Sequence, residues 1–564
     1  MACGESERGA GDHNRCLRKP GRGSGTRWEH ISESAAQAGG KSIENIPETG
    51  AKVNNPFCYR PKRLTRSKSS STMRGMADYL LGLDQGSTNS KTVLVDRKGR
   101  IVRLASAPLK SIRPRTGWVE HDPNAILNSQ LHAAKQLLRS IGRKNSVAAL
   151  GIANQRSTII LWDKKSGRPL TPAISWQDLR AEELTQQWSD HRELIRSKTG
   201  LMLTPYYAAP KLRWLLDRSK GLRAKAEKGS ILCGTVNTFL IWHLTKGEVH
   251  ATDHANAARM LLMNLHSLSW DDELLSLFGI PREILPRILP TAADYGTARL
   301  GGAEIPIRAS IGDQQAGLLG LGAVHAGEAV VNYGTGGFLL VNTGSQSIPL
   351  PGLLSSLAWT TSEETAYVAE GTVNAVGTVF DWLIKSGWLK SVDEIDRVMK
   401  SSGERVYLVP ALAGLGAPHW RSEARMGILG LGPTATKADV IRAAVEGVAF
   451  LIKDIVEAIQ RNGPIRIRTL TAGGGGSRIA SLVQTQADWL GIPIRRSAVT
   501  EATALGAALL AGVESDWWKS PTAAPINRTG NIFRSRISDA EREKIYERWK
   551  SAIEAVKTFG GETL

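Results

Sequence analysis

The phrase GLDQGSTNSKTVLVD, residues 82–96, has an echo about 250 residues downstream in AVVNYGTGGFLLVNTG, residues 329–344. Each reads as an apolar strand, a small turn of Gly, Ser or Thr, and a second apolar strand leading away. Strand–glycine–strand is common by itself. Repeated at this distance it points to an internal duplication, one hairpin per domain, and that constrains the fold more than any other feature of the chain. The length agrees, since 564 residues are too many for one ordinary core. Helical patterns alternate with strands elsewhere, so the fold class is α/β.

Residues 1–76 lack this patterning and read as a disordered basic extension, rich in Gly, Ser and charge. Residues 1–75 hold 14 Lys or Arg against 7 Asp or Glu, part of a net charge of +19. Scattered acidic residues argue against an organellar transit peptide, and no apolar core marks a secretion signal. Met76 stands just before the first strand and is a second candidate start of translation. Two domains follow, 77–325 and 326–560. A basic surface suits nucleic acid, an anionic membrane or an anionic nucleotide. Neither zinc-finger spacing nor a base-stacking aromatic motif is present, so no nucleic-acid partner is expected. No apolar run reaches membrane-spanning length, so no membrane partner is expected either. Cys3, Cys16, Cys58 and Cys233 form neither a disulfide framework nor a zinc spacing, which fits a reducing cytoplasm. The sequence sets no oligomeric state; a homodimer or homotetramer is compatible with it. The chain closes with a helix capped by Ser538 and Glu541 and striped by Ile545, Trp549, Ile553 and Val556.

The chemistry gathers at turns. A tight Gly/Ser/Thr turn presents N–H groups and hydroxyls that suit phosphate oxygens. In the first hairpin Gly86, Ser87, Thr88 and Asn89 would cradle a terminal phosphate, Lys91 would offset its charge, and Asp84 would hold Mg²⁺ directly or through water. An ordinary polar hairpin is the plainer alternative. Gly334, Thr335 and Gly336 repeat the offer in the second hairpin. TLTAGGGGSR, residues 469–478, runs from a strand through four glycines toward an amphipathic helix, where glycine lets a phosphate or a flat ring approach the backbone. No Walker A loop competes, since Gly40-Lys41-Ser42 has Ala35 where the first glycine belongs. In IGDQQAG, residues 311–317, Asp313 at a strand end is placed either to take a proton from a hydroxyl or to cap the following helix.

With these residues in hand, the chain from 79 to about 558 resembles the FGGY carbohydrate kinases, and the glycerol kinases among them most. The resemblance rests on LDQGSTNSK, GWVEHDP, NQRS, ISWQDLR, PYYAAPKLRWLL, GTVNTFLIWHLTKG, IPIRASIGDQQAG, NYGTGGFLLVNTG, VPALAGLGAPHW and TEATALGAALLAG in that order. It implies two ribonuclease-H-like domains, of the actin and hexokinase type, flanking a cleft, with ATP mainly on the second domain and a small polyol mainly on the first. The implied activity is ATP- and Mg²⁺-dependent phosphorylation of glycerol. The family's Mg-linked aspartate falls on Asp84, its phosphate-turn residue on Thr88 and its catalytic base on Asp313. Its polyol contacts fall on Arg156, Trp176, Tyr206, Gln314 and Phe338, and its nucleotide contacts on Thr335, Gly377 and Gly474.

The chain departs from the pattern in places. Ser157 stands where glycerol kinases carry glutamate. A hydrogen bond to a charged group is worth about 1.5–3 kcal/mol, so glycerol affinity is expected to fall roughly tenfold or more. Arg478 stands at the adenine-side asparagine, and Ala472 at the aspartate before the glycines. Tyr207-Ala208-Ala209-Pro210 replaces a small polar segment. Residues 300–307 are short where some bacterial relatives carry a glycine-rich loop tied to sugar-bisphosphate inhibition, so that regulation is not expected. Two rival readings follow: a kinase for another small polyol or ketose, and a non-catalytic nucleotide-dependent sensor on the same fold.

Overall fold

The computed structural model describes residues 78–141, 147–400 and 403–561. The basic N-terminal extension and Cys3, Cys16 and Cys58 lie outside the described residues.

The first hairpin pairs Tyr79–Gln85 with Asn89–Asp96 in antiparallel register, Asp84 opposite Lys91. Its near-continuous apolar run is explained by burial on both faces. Leu81, Leu83 and Leu94 point into a core shared with the helices Pro123–Arg139 and Val236–Leu244. Leu80, Val93 and Val95 point the other way, into a core shared with the helices Asp313–Gly320 and Ala502–Glu514. The six-stranded sheet runs Thr297–Leu300, Ala303–Gly312, Val147–Asn154, Tyr79–Gln85, Asn89–Asp96, Ile101–Pro108. The short stretch at 300–307 is a hairpin turning on Gly301 and Gly302, both at positive φ (62° and 83°), as a two-residue turn of this hand requires.

The second sheet repeats the plan. Glu328–Tyr333 pairs antiparallel with Gly337–Gly344 and parallel with Thr469–Gly473, and Ile494–Ser497 follows in parallel. Each step has its counterpart in the first sheet, where Tyr79–Gln85 pairs antiparallel with Asn89–Asp96 and parallel with Val147–Asn154, and Ala303–Gly312 follows. This matched order is the duplication that the two hairpin phrases announced. Val331, Leu339 and Val341 pack with the long helix Lys437–Asn462, while Val330 and Leu340 join the core facing the first sheet. The C-terminal helix carries its stripe as expected: Trp549, Ile553 and Val556 are buried, and the Ser538 hydroxyl accepts the Glu541 N–H at 3.2 Å.

The two halves join through small residues. The helix Ala502–Glu514 belongs by sequence to the second half, yet it lies on the backbone of the first. A Cβ on Gly82 would sit 2.0 Å from the Ala504 carbonyl oxygen, one on Gly151 2.0 Å from that of Ala507, and one on Gly506 1.9 Å from that of Ala316. The atoms in the way are main chain and cannot swing aside. Gly506→Ala is therefore expected to cost about 3 kcal/mol or more, as overpacking does, and to lower the urea midpoint correspondingly. A midpoint equal to that of the parent chain would show that the helices separate at little cost. Among the described residues, no helix is long and apolar enough to cross a membrane.

Candidate functional site

Parallel strands end on the same edge of a sheet, and side chains just past those ends share a crevice. Register puts Gln85 beside Asn154, and Asn154 beside Gly312. Asp84, the Gln155–Ser157 turn and Asp313 therefore converge from three strands on one rim. Register sets Asp84 and Asp313 at the ends of strands that flank Val147–Asn154 on either side, near enough for each charge to act on the other. Burial, then the charge of Asp313, pushes the Asp84 carboxyl up to about 7, against the opposing pull of Lys91. Asp313 occupies the first position of its helix, behind Gly312 as N-cap, and accepts the Gln314 N–H at 2.7 Å. Burial raises its carboxyl too, opposed by the Arg156 guanidinium, whose Nε lies 3.3 Å from Asp313 Oδ1.

Arg156 is more heavily engaged than a polyol contact needs. Its terminal nitrogens form a fork on Glu370 at 3.0 and 3.1 Å, and one of them also reaches Gln315 Oε1 at 3.4 Å. Arg259 forks the same carboxylate at 3.1 and 3.3 Å. Burial alone would raise the Glu370 carboxyl; the two guanidinium charges outweigh it and hold it at about 2. A value below the ordinary 4.5 means that this charge stabilises the fold above the usual carboxylate range, a contribution lost progressively as pH falls from 4.5 through about 2.

The first turn is tied to the expected polyol side. Trp176 Nε1 donates to Ser87 Oγ at 3.1 Å, Ser87 donates to Gln155 Oε1 at 3.1 Å, and Gln155 Nε2 donates to the Gly86 carbonyl at 3.2 Å. The Ser87 hydroxyl is thus spent on holding the turn, while Thr88 and Asn89 remain exposed. The expectation that Lys91 offsets phosphate charge needs correction, because its ammonium is 2.7 Å from Glu501 and neutralises that carboxylate. Glu501 lies 410 residues away in sequence, so no local pattern pointed to it.

Ser157 is buried at φ 63° and donates its hydroxyl hydrogen to the Arg259 carbonyl at 3.1 Å. That hydrogen points into the wall rather than the cleft. Lys211, fully buried, donates to the carbonyls of Tyr206 at 2.7 Å and Ser157 at 3.4 Å and so staples these two positions together. Burial lowers the Lys211 ammonium to about 7. The Tyr206 side chain is exposed, and Phe338 packs partly buried against the core between the sheets.

The second hairpin and the glycine run meet at the equivalent rim of the second sheet, where Asn332 registers with Gly473. Gly334 and Thr335 are exposed at the turn, and the Gly377 N–H, opening the helix Gly377–Lys385, donates to the Gly334 carbonyl at 3.0 Å. Gly474 has φ 81°, and a Cβ there would lie 2.3 Å from Asn332 Oδ1, so only glycine fits. Arg478 is exposed beside it, and Ala472 is buried in the strand. Among the described residues, no hydrogen bond or ion pair joins these nucleotide-side turns directly to the Asp84 hairpin. Sequence reading missed Gln155, Arg259, Glu370, Glu501 and, in its present role, Lys211. Gln155 and Lys211 sit inside quoted motifs and were legible as polar residues in apolar surroundings; Glu370 and Glu501 act across long sequence distances.

Comparison with known proteins identifies the family and the fold. The N-terminal domain model of the FGGY family of carbohydrate kinases matches residues 79–320, and its C-terminal domain model residues 329–515. The glycerol kinase of Thermus brockianus is 44% identical over 487 residues, spanning 85% of this chain and 98% of that protein. Glycerol kinase 2 of Thermotoga maritima is 41% identical over 487 residues, 84% of this chain and 98% of its own. The crystal structure of Plasmodium falciparum glycerol kinase with ADP superposes with a TM-score of 0.81 at 32% identity, covering 86% of this chain and 99% of that one. A xylulose kinase from Rhodospirillum rubrum, at 21% identity, a TM-score of 0.76 and coverage of 86% and 100%, shares the fold.

Proposed function

We infer the function from a plain premise: the chain belongs to the FGGY family of carbohydrate kinases. It is an ATP-dependent phosphotransferase that converts glycerol to sn-glycerol 3-phosphate. The observation that carries this reading is the convergence of Asp84 and Asp313 on one rim, beside glycine turns from both sheets.

In this reading Asp313 accepts the proton of a primary hydroxyl as that oxygen attacks the γ-phosphorus in line. Arg156 keeps Asp313 oriented and has one terminal N–H left for the acceptor. Trp176, Tyr206, Gln314 and Phe338 shape the polyol side. The exposed Thr88 and Thr335 hydroxyls receive phosphate oxygens, the Gly86 and Gly334 N–H groups being spent on the Asn89 and Gly336 carbonyls that close each turn, and Gly377, Gly474 and Arg478 border the nucleotide. Mg²⁺ fits Asp84, whose carboxylate accepts no hydrogen bond from the described residues and gains proton affinity from its surroundings. No cluster of three or more ligating side chains forms among the described residues, so phosphate oxygens and water would complete its shell. When bound, the ion supplies charge neutralisation on the phosphates.

We also assign residues 77–325 and 326–560 to two domains; the partition of strands between the sheets supports this, although the helix Ala502–Glu514 crosses over. A cytoplasmic compartment is supported by the lone buried Cys233 among the described residues. For acceptor choice, purified protein with coupled ADP detection is expected to give kcat/KM for glycerol at least about tenfold above that for four- and five-carbon polyols. Equal values would remove glycerol as the assigned acceptor and favour the rival polyol kinase.

A further inference from the structure

Glu370 is fully buried, comes from the strand Thr365–Val373 of the second sheet and, among the described residues, meets only first-half partners through its carboxylate. Leu340 and Leu354 flank it in register, so the carboxylate projects from an apolar strand toward the other half of the molecule. Two guanidinium groups converge on it, from the turn after Val147–Asn154 and from the short helical turn Ala258–Met260. One of them, Arg156, also holds Asp313. Two carboxylates and two guanidinium groups thus form a charge-balanced set, in which the buried Arg259 Nε has no hydrogen-bond partner among the described residues. Such a set persists only when every member is paired, because a single buried charge left over is costly. A planar fork also fixes orientation in a way that a point charge does not. Tyr207 lies with its ring centroid 5.2 Å from the Arg259 guanidinium and backs that side of the set.

We propose that Glu370 is a positioning residue for phosphoryl transfer: by forking Arg156 it sets the orientation of the Asp313 carboxylate, so that a side chain of the second sheet aligns the base carried by the first. Asp313 is held by an ion pair with Arg156, Nε to Oδ1 3.3 Å, and by one N–H from the Gln314 backbone, and only the first depends on a movable side chain. Without Glu370, Arg156 is free to swing fully onto Asp313 or into the acceptor space. Misalignment of about 1 Å at a reacting group costs up to about a hundredfold in rate.

The inference rests on the assignment of Asp313 as base, and the test separates the two. Glu370→Gln, Arg156→Lys and the double variant are compared with the parent for kcat, KM for glycerol, KM for ATP and melting temperature. Each single variant is expected to lower kcat about 10- to 100-fold with KM for ATP within about twofold, and the double variant is expected to be no worse than the poorer single, since both act through one contact. Glu370→Asp, which keeps the charge, is expected to recover part of the loss. It also replaces Glu370→Gln in the cycle if that variant does not fold. Multiplicative losses in the double variant, or a kcat for Glu370→Gln equal to the parent's at a lower melting temperature, would overturn the positioning role. Undiminished turnover in Asp313→Asn would instead overturn the base assignment.

Discussion

Asp313→Asn is expected to lower kcat by about 10²–10⁴-fold, the usual weight of a positioned general base, while ATP still binds. The substitution keeps the shape and the Gln314 N–H contact but removes the group that accepts the proton. It also leaves the Arg156 guanidinium with one anionic partner instead of two. Steady-state kinetics with glycerol, together with nucleotide binding by calorimetry, reads both effects. Turnover within threefold of the parent would remove Asp313 from the chemistry. No turnover in the parent chain on any polyol, with nucleotide still bound, would favour a sensor on the same fold.

Asp84→Asn is expected to lose several kcal/mol of transition-state stabilisation, equivalent to about 10²–10³-fold in kcat, with a raised requirement for Mg²⁺. The reasoning is electrostatic. Asp84 sits directly across the strand pair from Lys91, but Glu501 has claimed that ammonium, so the hairpin base brings little net positive charge to the phosphates. A divalent ion held by Asp84, as proposed above, would then carry most of the neutralisation. Titrating Mg²⁺ at saturating nucleotide and glycerol separates the two variants: the Asp84 substitution shifts the metal dependence, whereas the Asp313 substitution scales the rate without shifting it. An identical Mg²⁺ curve for Asp84→Asn would place the ion elsewhere.

Much of this architecture was legible in the primary structure for physical reasons. A strand buried on both faces must be apolar throughout, so YLLGLD and AVVNY announced themselves, and their glycine turns marked the two repeats. Gly474 was readable only as one of four successive glycines; that φ 81° and the approach to Asn332 admit no Cβ there was set by the fold. Asp84 and Asp313 stood out as carboxylates at the ends of apolar strands, where a polar hairpin and a helix cap were equally open, and the family resemblance supplied the roles proposed for them. Other readings changed in the folded molecule. Lys91 looked like a phosphate partner until Glu501 took it, and Arg156 looked like a polyol contact until Glu370 engaged most of its donors.

Local chemistry, then, determined the elements, their duplication and the two rims of glycine and hydroxyl, because propensity, burial pattern and turn geometry act over a few residues. The tertiary structure alone decided which charges are paired and which are left for substrates. Partners such as Lys91 with Glu501 and Arg156 with Glu370 lie 410 and 214 residues apart, and nothing within either segment records the other. Packing also placed a helix of the second half on the sheet of the first, through carbonyls that meet bare glycine Cα atoms, a fit set by three-dimensional approach rather than by any sequence period.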